Sequence, residues 1–498
     1  MQTLGGIKPC DSHPMLKVKE RWILPSSAIL VAALNISFGG VATGTDSTVT
    51  ITLDTKNPGP VISPDFCGLS FETALLLPGP DGVHYFRPDN QPLINLFRTL
   101  GIKSLRIGGN TSDRDAKQLP DKTDLDNLFA FAKAADVKVI YCLRLHGGDP
   151  QADAATAKYI MDRYAALVDC FSIGQEPSAY PKPYAYANYR TDWKTFADAI
   201  VAAVPNVKFG GPGVHNNATW ARNFMADFGR SNHVVLITEH LYAGGAGNKV
   251  PSPEIGRDRM LSDGFVRTYE KLHDGFVPMA VSNALPYRLE EVNNYFNGGA
   301  KDVSNTFASA LWGLDFMYWW AAHGAAGLNF HTGDRVAAGY SLQPSKYTAF
   351  FSTTNGYIIR PLGYAIKAFD LGSRGRFVPM TCAKPQNLNL SAYAVLGGDQ
   401  NVYVTLINQE HDAGARAAAV SIRQSGIGFA RGWSIFLNAP ENDVAAPAGE
   451  MLGGVSIQTD GNWNGQWTPL TQVNRNAESV FTVKVPAASA AIFKLANN

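Results

Sequence analysis

The chain has 498 residues, with 43 Lys+Arg against 42 Asp+Glu and a formal net charge of +1. That balance leaves no electrostatic footprint for nucleic acid or an anionic membrane. With charged residues at 17% and hydrophobic ones at 45%, the composition calls for well-filled cores under a hydroxyl- and amide-rich surface, suited to a small or neutral polymeric ligand.

In chain order, a basic stretch from Met15 to Arg21 precedes the mostly apolar run Trp22–Phe38 and the small residues Gly39–Thr45. A basic head, a short apolar run and a small-residue exit form the pattern of a secretory signal. Residues 1–45 are therefore expected to be an upstream extension plus a signal segment, with Met15 an alternative start, and the protein to be secreted or periplasmic. Pro25, Ser26, Ser27 and Asn35 interrupt the run, and no later stretch reaches the ~20 apolar residues of a span, so no membrane partner is expected. Thr48–Leu53 alternates threonine with Val, Ile and Leu, which predicts a strand; residues 46–62 are expected to join a C-terminal β-structure.

Between residues 63 and 372, short apolar runs alternate with helical patterns. Predicted strands are Phe66–Phe71, Ser104–Ile107, Val137–Leu145, Asp169–Ile173, Val207–Gly210, Val234–Tyr242, Tyr287–Glu291 and Gly324–Phe330. Eight strands with helices between most of them predict an α/β fold, a (β/α)8 barrel, with a doubly wound open sheet as the alternative. The open sheet lacks its glycine-rich turn after the first strand. From residue 373 to 498 the helical pattern stops. Leu388–Leu396, Gln400–Ile407, Ala417–Ile422, Gly432–Leu437, Ser479–Val485 and Ala490–Lys494 then predict an antiparallel β-sandwich domain. Trp463 and Trp467 would be its sugar platform if it were a separable carbohydrate-binding module; the incoming N-terminal strand favours a structural partner of the barrel instead. The cysteines show neither CxxC nor regular spacing, which predicts buried thiols rather than disulfides or zinc ligands.

Active residues of such barrels lie at the C-terminal strand ends. The fourth strand ends in Ile173-Gly-Gln-Glu176-Pro177, the sixth in Glu239-His240-Leu-Tyr242, and the seventh carries Glu290-Glu291. Carboxylates on strands four and seven face each other across the mouth, the arrangement in which one acts as acid/base and the other as nucleophile on a sugar. Adjacent strand side chains point oppositely, so one of Glu290 and Glu291 should face in; the sequence alone leaves both open. His240 and Tyr242 share one parity and Glu239 takes the other, so if the first two face the site Glu239 points into the helical layer; a hydrogen-bonded core histidine is the alternative for His240. Histidines scattered over different strands offer no ligand spacing, so neither metal nor cofactor is expected. Tyr141, Tyr180, Tyr184 and Trp320 are candidate ring platforms.

The Ile-Gly-Gln-Glu-Pro segment and the later Glu291-Val-Asn-Asn-Tyr-Phe-Asn-Gly-Gly299 resemble glycoside hydrolase family 79, which includes β-glucuronidases and heparanases. Gly68-Leu-Ser-Phe-Glu72, Leu105-Arg-Ile-Gly-Gly-Asn110, Glu239-His-Leu-Tyr242, Gly339-Tyr340 and Arg360–Phe369 resemble it in the same order. The resemblance implies a retaining, exo-acting hydrolase, most simply a β-glucuronidase, with a carbohydrate substrate and no cofactor. It implies Glu176 as acid/base, Glu291 as nucleophile, and Tyr242 with His240 beside them, Tyr242 hydrogen-bonded to the nucleophile. Glu72 and Asn110 would bind sugar hydroxyls; Tyr295, Phe296, Gly298, Gly299, Gly339 and Tyr340 would form the pocket for a uronate carboxylate. Two positions depart from the family pattern: Gln175 replaces an asparagine that bonds the sugar, and Phe296 stands where a tyrosine hydroxyl is expected. These departures keep two alternatives open, a neutral-sugar β-glycosidase and a catalytically silent sugar-binding protein. For an acid/base role, burial and the Glu291 charge are expected to raise the Glu176 pKa.

Overall fold

The chain enters through β1 (Ser47–Leu53), where Val49, Ile51 and Leu53 are buried and Thr48 is exposed, as the alternation requires. This is a computed structural model, and it describes residues 46–334, 343–424, 429–475 and 478–497. The expected signal segment, Met15, Gly339 and Tyr340 lie outside the described residues.

All eight predicted barrel strands are present and close on one another in chain order. They are β2 (Cys67–Glu72), β3 (Ser104–Gly108), β4 (Lys138–Leu143), β5 (Val168–Ile173), β6 (Phe209–His215), β7 (Val234–Tyr242), β8 (Tyr287–Asn293) and β9 (Gly327–His331). Neighbouring strands pair in parallel, and β9 pairs back onto β2, which closes the sheet and excludes the open-sheet alternative. The helices α1 (Gln91–Thr99), α2 (Lys122–Ala135), α3 (Pro150–Tyr164), α4 (Tyr186–Ala203), α5 (Ala218–Phe228), α6 (Pro253–Met260), α7 (Asp263–Ser282) and α8 (Phe307–Ala322) fill the connections, and α9 (Pro361–Gly372) follows the barrel. Local chemistry starts them: Asp121 accepts the backbone N–H groups of Thr123 and Asp124, and the Asp124 carboxylate returns to the Asp121 N–H, a closed capping box on α2.

The largest boundary difference is β6, expected to end at Gly210, which continues through Gly211-Pro-Gly-Val-His215. The glycines are there because the strand runs through crowded space. A Cβ on Gly211 would lie 2.8 Å from the Phe224 ring, and one on Gly213 would lie 2.7 Å from a Glu290 carboxylate oxygen.

The hairpin β10 (Phe350–Thr353) and β11 (Gly356–Ile359) leads through α9 to the β-sandwich. Its strands are β12 (Gly375–Phe377), β13 (Met380–Ala383), β14 (Leu390–Gly397), β15 (Val402–Asn408), β16 (Ala418–Gln424), β17 (Arg431–Asn438), β18 (Met451–Leu452), β19 (Thr468–Pro469), β20 (Gln472–Arg475), β21 (Glu478–Val485) and β22 (Ser489–Ala496). One sheet is ordered β13-β1-β16-β21-β20; the other runs β12-β14-β15-β22-β17-β18, with β19 also on β17. The sandwich thus takes the N-terminal strand, as expected, but β1 runs parallel to β16 rather than antiparallel. No hairpin joins the two, so nothing local fixes their relative direction.

Helix α8 is apolar around its circumference and buried from Phe307 to Ala321, because it lies between the barrel and the sandwich. Tyr318 stacks on Tyr393 with ring centroids 4.7 Å apart, and its hydroxyl is 2.9 Å from that of Thr405. Trp463 is half-buried and donates its indole N–H to the Leu452 carbonyl, while Lys367 sits 5.1 Å from its ring. Neither Trp463 nor Trp467 stands out as an exposed platform, since both pack against the shared core. Cys67, Cys142 and Cys170 are buried free thiols, and Cys382 is half-buried. No helix among the described residues is long and apolar enough to cross a membrane.

Candidate active site

At the C-terminal end of the barrel, β5 runs out at Ile173 and the chain turns through Gly174 (φ +88°) and Glu176 (φ +46°). A left-handed backbone at a non-glycine residue is strained, by roughly 1–2 kcal/mol, and such strain collects at functional sites. Three contacts hold it: the Glu176 N–H donates to the Gly213 carbonyl, the Gln175 N–H to Asp113, and Tyr180 closes on the same Asp113 carboxylate. Tyr180 is therefore a brace rather than a ring platform. Tyr141 and Trp320 are buried in the core and Tyr184 donates to Asp192, so none of the four proposed platforms lines the cavity.

Strand β8 corrects the parity argument. Its register against β7 pairs Leu289 with Glu239 and Glu291 with His240, leaving Glu290 as the extra residue of a β-bulge. The bulge cancels the alternation, so both glutamates reach the same imidazole: Glu290 Oε1 lies 3.6 Å from His240 Nε2 and Glu291 Oε2 lies 3.9 Å from Nδ1. Glu239, on β7, does leave the barrel interior; its carboxylate accepts the Asn217 N–H at the start of α5, and burial raises its pKa to about 8.

Glu291 is held from three sides. Arg106 Nη1 donates to Oε2 at 2.7 Å, Gln175 Nε2 to the same oxygen at 3.0 Å, and the Tyr242 hydroxyl to Oε1 at 2.9 Å. Burial opposes its ionisation, but His331, His240, Arg106 and the Gln175 amide overcome this and hold it far below the ordinary carboxylate range. Glu176 accepts from His240 Nδ1 at 3.1 Å and lies 3.5 Å from Arg114 Nη2. Burial pushes its pKa up, yet the hydrogen bond and charge of His240 outweigh burial and the Glu291 charge, so the net direction is down. That reverses the expected rise, because the sequence does not show a cation beside the carboxylate. The counterpart is His240, whose burial favours the neutral ring but whose neighbours Glu291, Glu176 and Glu290 raise it to about 9.

A carboxylate oxygen of Glu176, one of Glu291 and a nitrogen of His240 all lie within 4.8 Å of one another. That spacing would also accept a metal ion, but the ion pairs among them and with Arg106 already compensate the charge. Above them lies a cavity of about 360 Å³ whose wall includes Glu72, Asn110, His215, Phe296, Asn297 and Gly298. It shares Glu72, Asn110, Arg114, His331 and Tyr347 with an adjoining space of about 650 Å³. Glu72 is aimed by the N–H groups of Asn110 and Thr111 and by the Thr111 hydroxyl.

Three expected binding residues are placed elsewhere. Tyr295 is fully buried, donates its hydroxyl to the Gly256 carbonyl and turns away from the cavity, because successive residues of the loop point oppositely. Gly299 is packed against Ser304 and the Tyr347 backbone behind the wall. The Gln175 amide is engaged by Glu291 and Arg106, since its longer side chain reaches past the cavity floor to them. The sequence reading missed Arg106, Arg114, Asp113, His215, His331 and Tyr347. Arg106 alone carried a signal, as a charge in the middle of the buried run Ser-Leu-Arg-Ile-Gly.

A closed (β/α)8 barrel with paired carboxylates at the ends of its fourth and seventh strands is the construction of the O-glycosyl hydrolases. Residues 167–317, which include both glutamates, match the family described as "Glycosyl hydrolase family 79, N-terminal domain". The resemblance of the chain to glycoside hydrolase family 79 is thereby borne out. A β-glucuronidase of Aspergillus niger (strain ATCC MYA-4892 / CBS 513.88 / FGSC A1513) is 26% identical over 193 residues, 33% of this chain and 34% of that protein. The chain thus matches about a third of that relative's length. A solved 4-O-α-L-rhamnosyl-β-D-glucuronidase from Fusarium oxysporum 12S is similar in fold, with a TM-score of 0.71 at 18% identity over 90% of this chain and 100% of that one. A GH51 arabinofuranosidase from Xanthomonas axonopodis pv. citri has a TM-score of 0.65 at 14% identity, with the same coverage. At such identities these likenesses bear on the fold.

Proposed function

We propose that the chain is a retaining, exo-acting β-glucuronidase. The observation that carries the retaining part of this reading is that one carboxylate oxygen of Glu176 lies within 4.8 Å of one of Glu291. Retaining enzymes hold their carboxyl groups about 5–5.5 Å apart, whereas inverting ones leave about 6.5–9.5 Å for a water. Glu291, ionised and aimed by Arg106, Gln175 and Tyr242, attacks the anomeric carbon while a proton from Glu176 goes to the departing oxygen. Water then opens the glycosyl-enzyme with Glu176 as base. A cavity of about 360 Å³ around the carboxylates suits one terminal sugar, and the adjoining space would take the remainder of the substrate. The uronate preference is supported by the cationic Arg114 on the cavity wall and by the glucuronidase relative.

One observation favours a neutral-sugar β-glycosidase instead. Phe296 presents a ring, packed 5.5 Å from His215, where a hydroxyl was expected. A lost hydrogen bond to a carboxylate costs about 1.5–3 kcal/mol, which is roughly tenfold or more in preference. The deciding experiment compares 4-nitrophenyl β-D-glucuronide with the β-D-glucoside and follows the anomer first released by NMR. The expected result is glucuronide preference, β-anomer product and loss of both in Glu291→Gln; Phe296→Tyr should sharpen the preference. Glucoside turnover equal to or above glucuronide turnover would transfer the assignment to a neutral sugar, and an α-anomer product would remove the retaining mechanism. Export is part of the same reading, checked by N-terminal sequencing of the mature protein from the culture medium.

A further inference from the structure

Glu290 is a fully buried carboxylate that the proposed reaction leaves without a task. Neither of its oxygens has a hydrogen-bond partner among the described residues, and neither does the His240 Nε2 that faces it at 3.6 Å. Room for it is made deliberately: Gly213 sits at φ +60°, and a Cβ there would lie 2.7 Å from Glu290 Oε1 and 3.6 Å from His240 Nε2. An ionisable group in such a place persists only in partnership with an opposite charge.

We propose that Glu290 is a positioning residue for the acid/base: from the far side of the ring it keeps His240 an imidazolium, which stores the working proton next to Glu176. This rests on the hydrolytic reading above. The groups that face His240 are Glu176 from the end of β5, Glu290 and Glu291 from β8, and Arg106 from β3; His215 at the end of β6 acts on it as a further, weaker neighbour, as does Glu239 beside it on β7, which burial holds largely uncharged up to about pH 8. Burial and Arg106 discharge the ring, and the three carboxylates charge it. Two of those carboxylates change during the cycle. Glu291 becomes an ester and Glu176 gains and loses a proton, so only Glu290 is a constant counter-charge.

The proton account closes. His240 Nδ1–H passes its proton to Glu176 Oε1, and Glu176 passes it to the departing oxygen as the anomeric C–O bond breaks and the bond to Glu291 forms. In the second half, Glu176 takes a proton from the attacking water as the ester C–O bond breaks, and returns it to Nδ1. One proton leaves with the aglycone and one arrives from water, so no further reactant is needed.

The test follows the imidazole nitrogens of 15N-histidine-labelled protein by NMR, with His240 assigned by its loss in His240→Asn. It is joined to pH profiles of kcat and KM on 4-nitrophenyl β-D-glucuronide. In the wild-type protein the His240 ring should remain charged past pH 8, in line with a pKa raised to about 9. Glu290→Gln should move both the imidazole titration and the alkaline limb of kcat down by about one pH unit or more, with KM within about twofold, and Glu290→Asp should restore part of the shift. A residue that merely fills space would lower stability or overall rate and leave both titrations in place, which overturns the proposal. If Glu290→Gln does not fold, the wild-type ring decides: a ring neutral at pH 7 overturns the proposal, and one charged past pH 8 supports it. Failure of the wild-type protein to cleave any glycoside would sink the hydrolytic reading instead, a result that the imidazole titration reports separately.

Discussion

The inside of the sandwich and the mouth of the barrel are equally buried and are built on opposite terms. In the sandwich, Val49, Ile51 and Leu53 of β1 join Val420, Ile422, Phe481 and Phe493 in a wholly apolar cluster. Each member contributes by itself, roughly in proportion to the apolar area that it removes from water. At the barrel mouth, Arg106, His240, Glu290, Glu291, Asn293 and His331 are all nearly inaccessible, and no member is tolerable alone. An isolated buried charge is far more costly than a cavity, so these groups stand as a set or not at all. The difference teaches that substitutions in the sandwich should act locally and additively, whereas those in the mouth should couple.

The sharpest way to break that comparison is Arg106→Met. It strands the Glu291 carboxylate and should destabilise the protein by about 3–5 kcal/mol in urea denaturation. Adding Glu291→Gln to it should recover part of the loss, because the uncompensated charge is then gone; simple additivity of the two would refute the coupled picture. In the sandwich, Ile51→Ala should cost roughly 2–5 kcal/mol through lost burial and a cavity, with no effect on glycoside turnover.

Glu239 sharpens the comparison from another side, since it is a buried carboxylate of the barrel wall whose Oε1 has no partner among the described residues. Burial raises its pKa from 4.5 to about 8. Below pH 4.5 it is neutral folded or unfolded; between there and about 8 the unfolded chain releases a proton that the folded chain retains. The stability that it contributes is therefore full at low pH and lost as pH rises through that window. Glu239→Gln should gain on the wild-type protein across the window and reach on the order of 4 kcal/mol by its upper end, as read from urea midpoints at several pH values. Equal pH slopes for the two proteins would show that the carboxyl is not held protonated. The smallest effect belongs to Thr48→Ala on the exposed face of β1, which should stay within about 0.5 kcal/mol.

The same contrast governs what could be read in advance. Sandwich strands such as β1 and β16 follow a period of two because only hydrophobicity decides which side faces in. The barrel strands were legible as apolar runs between helical patterns, and the carboxylates as glutamates placed where such strands end. Prediction failed where the mouth departs from regular geometry. The bulge at Glu290 turned a choice between two glutamates into a pair that both reach His240. Strand β6 runs five residues beyond the expected Gly210, because its glycines are clearances for Phe224 and Glu290. The Glu176 pKa went the other way because its controlling neighbour comes from a different strand.

The amino-acid sequence by itself determined the order of elements, the alternation of strands and helices followed by a β-rich region, and the two strand ends that carry the acids, since these follow from local periodicity and short-range turn chemistry. Only the tertiary structure decided which side chains meet: Arg106 on Glu291, Gln175 on both, His240 between Glu176 and Glu290, and Tyr295 outside the cavity. The physical reason is that charge compensation in a buried site is a sum over strands far apart in the chain, and local pattern carries no record of that sum.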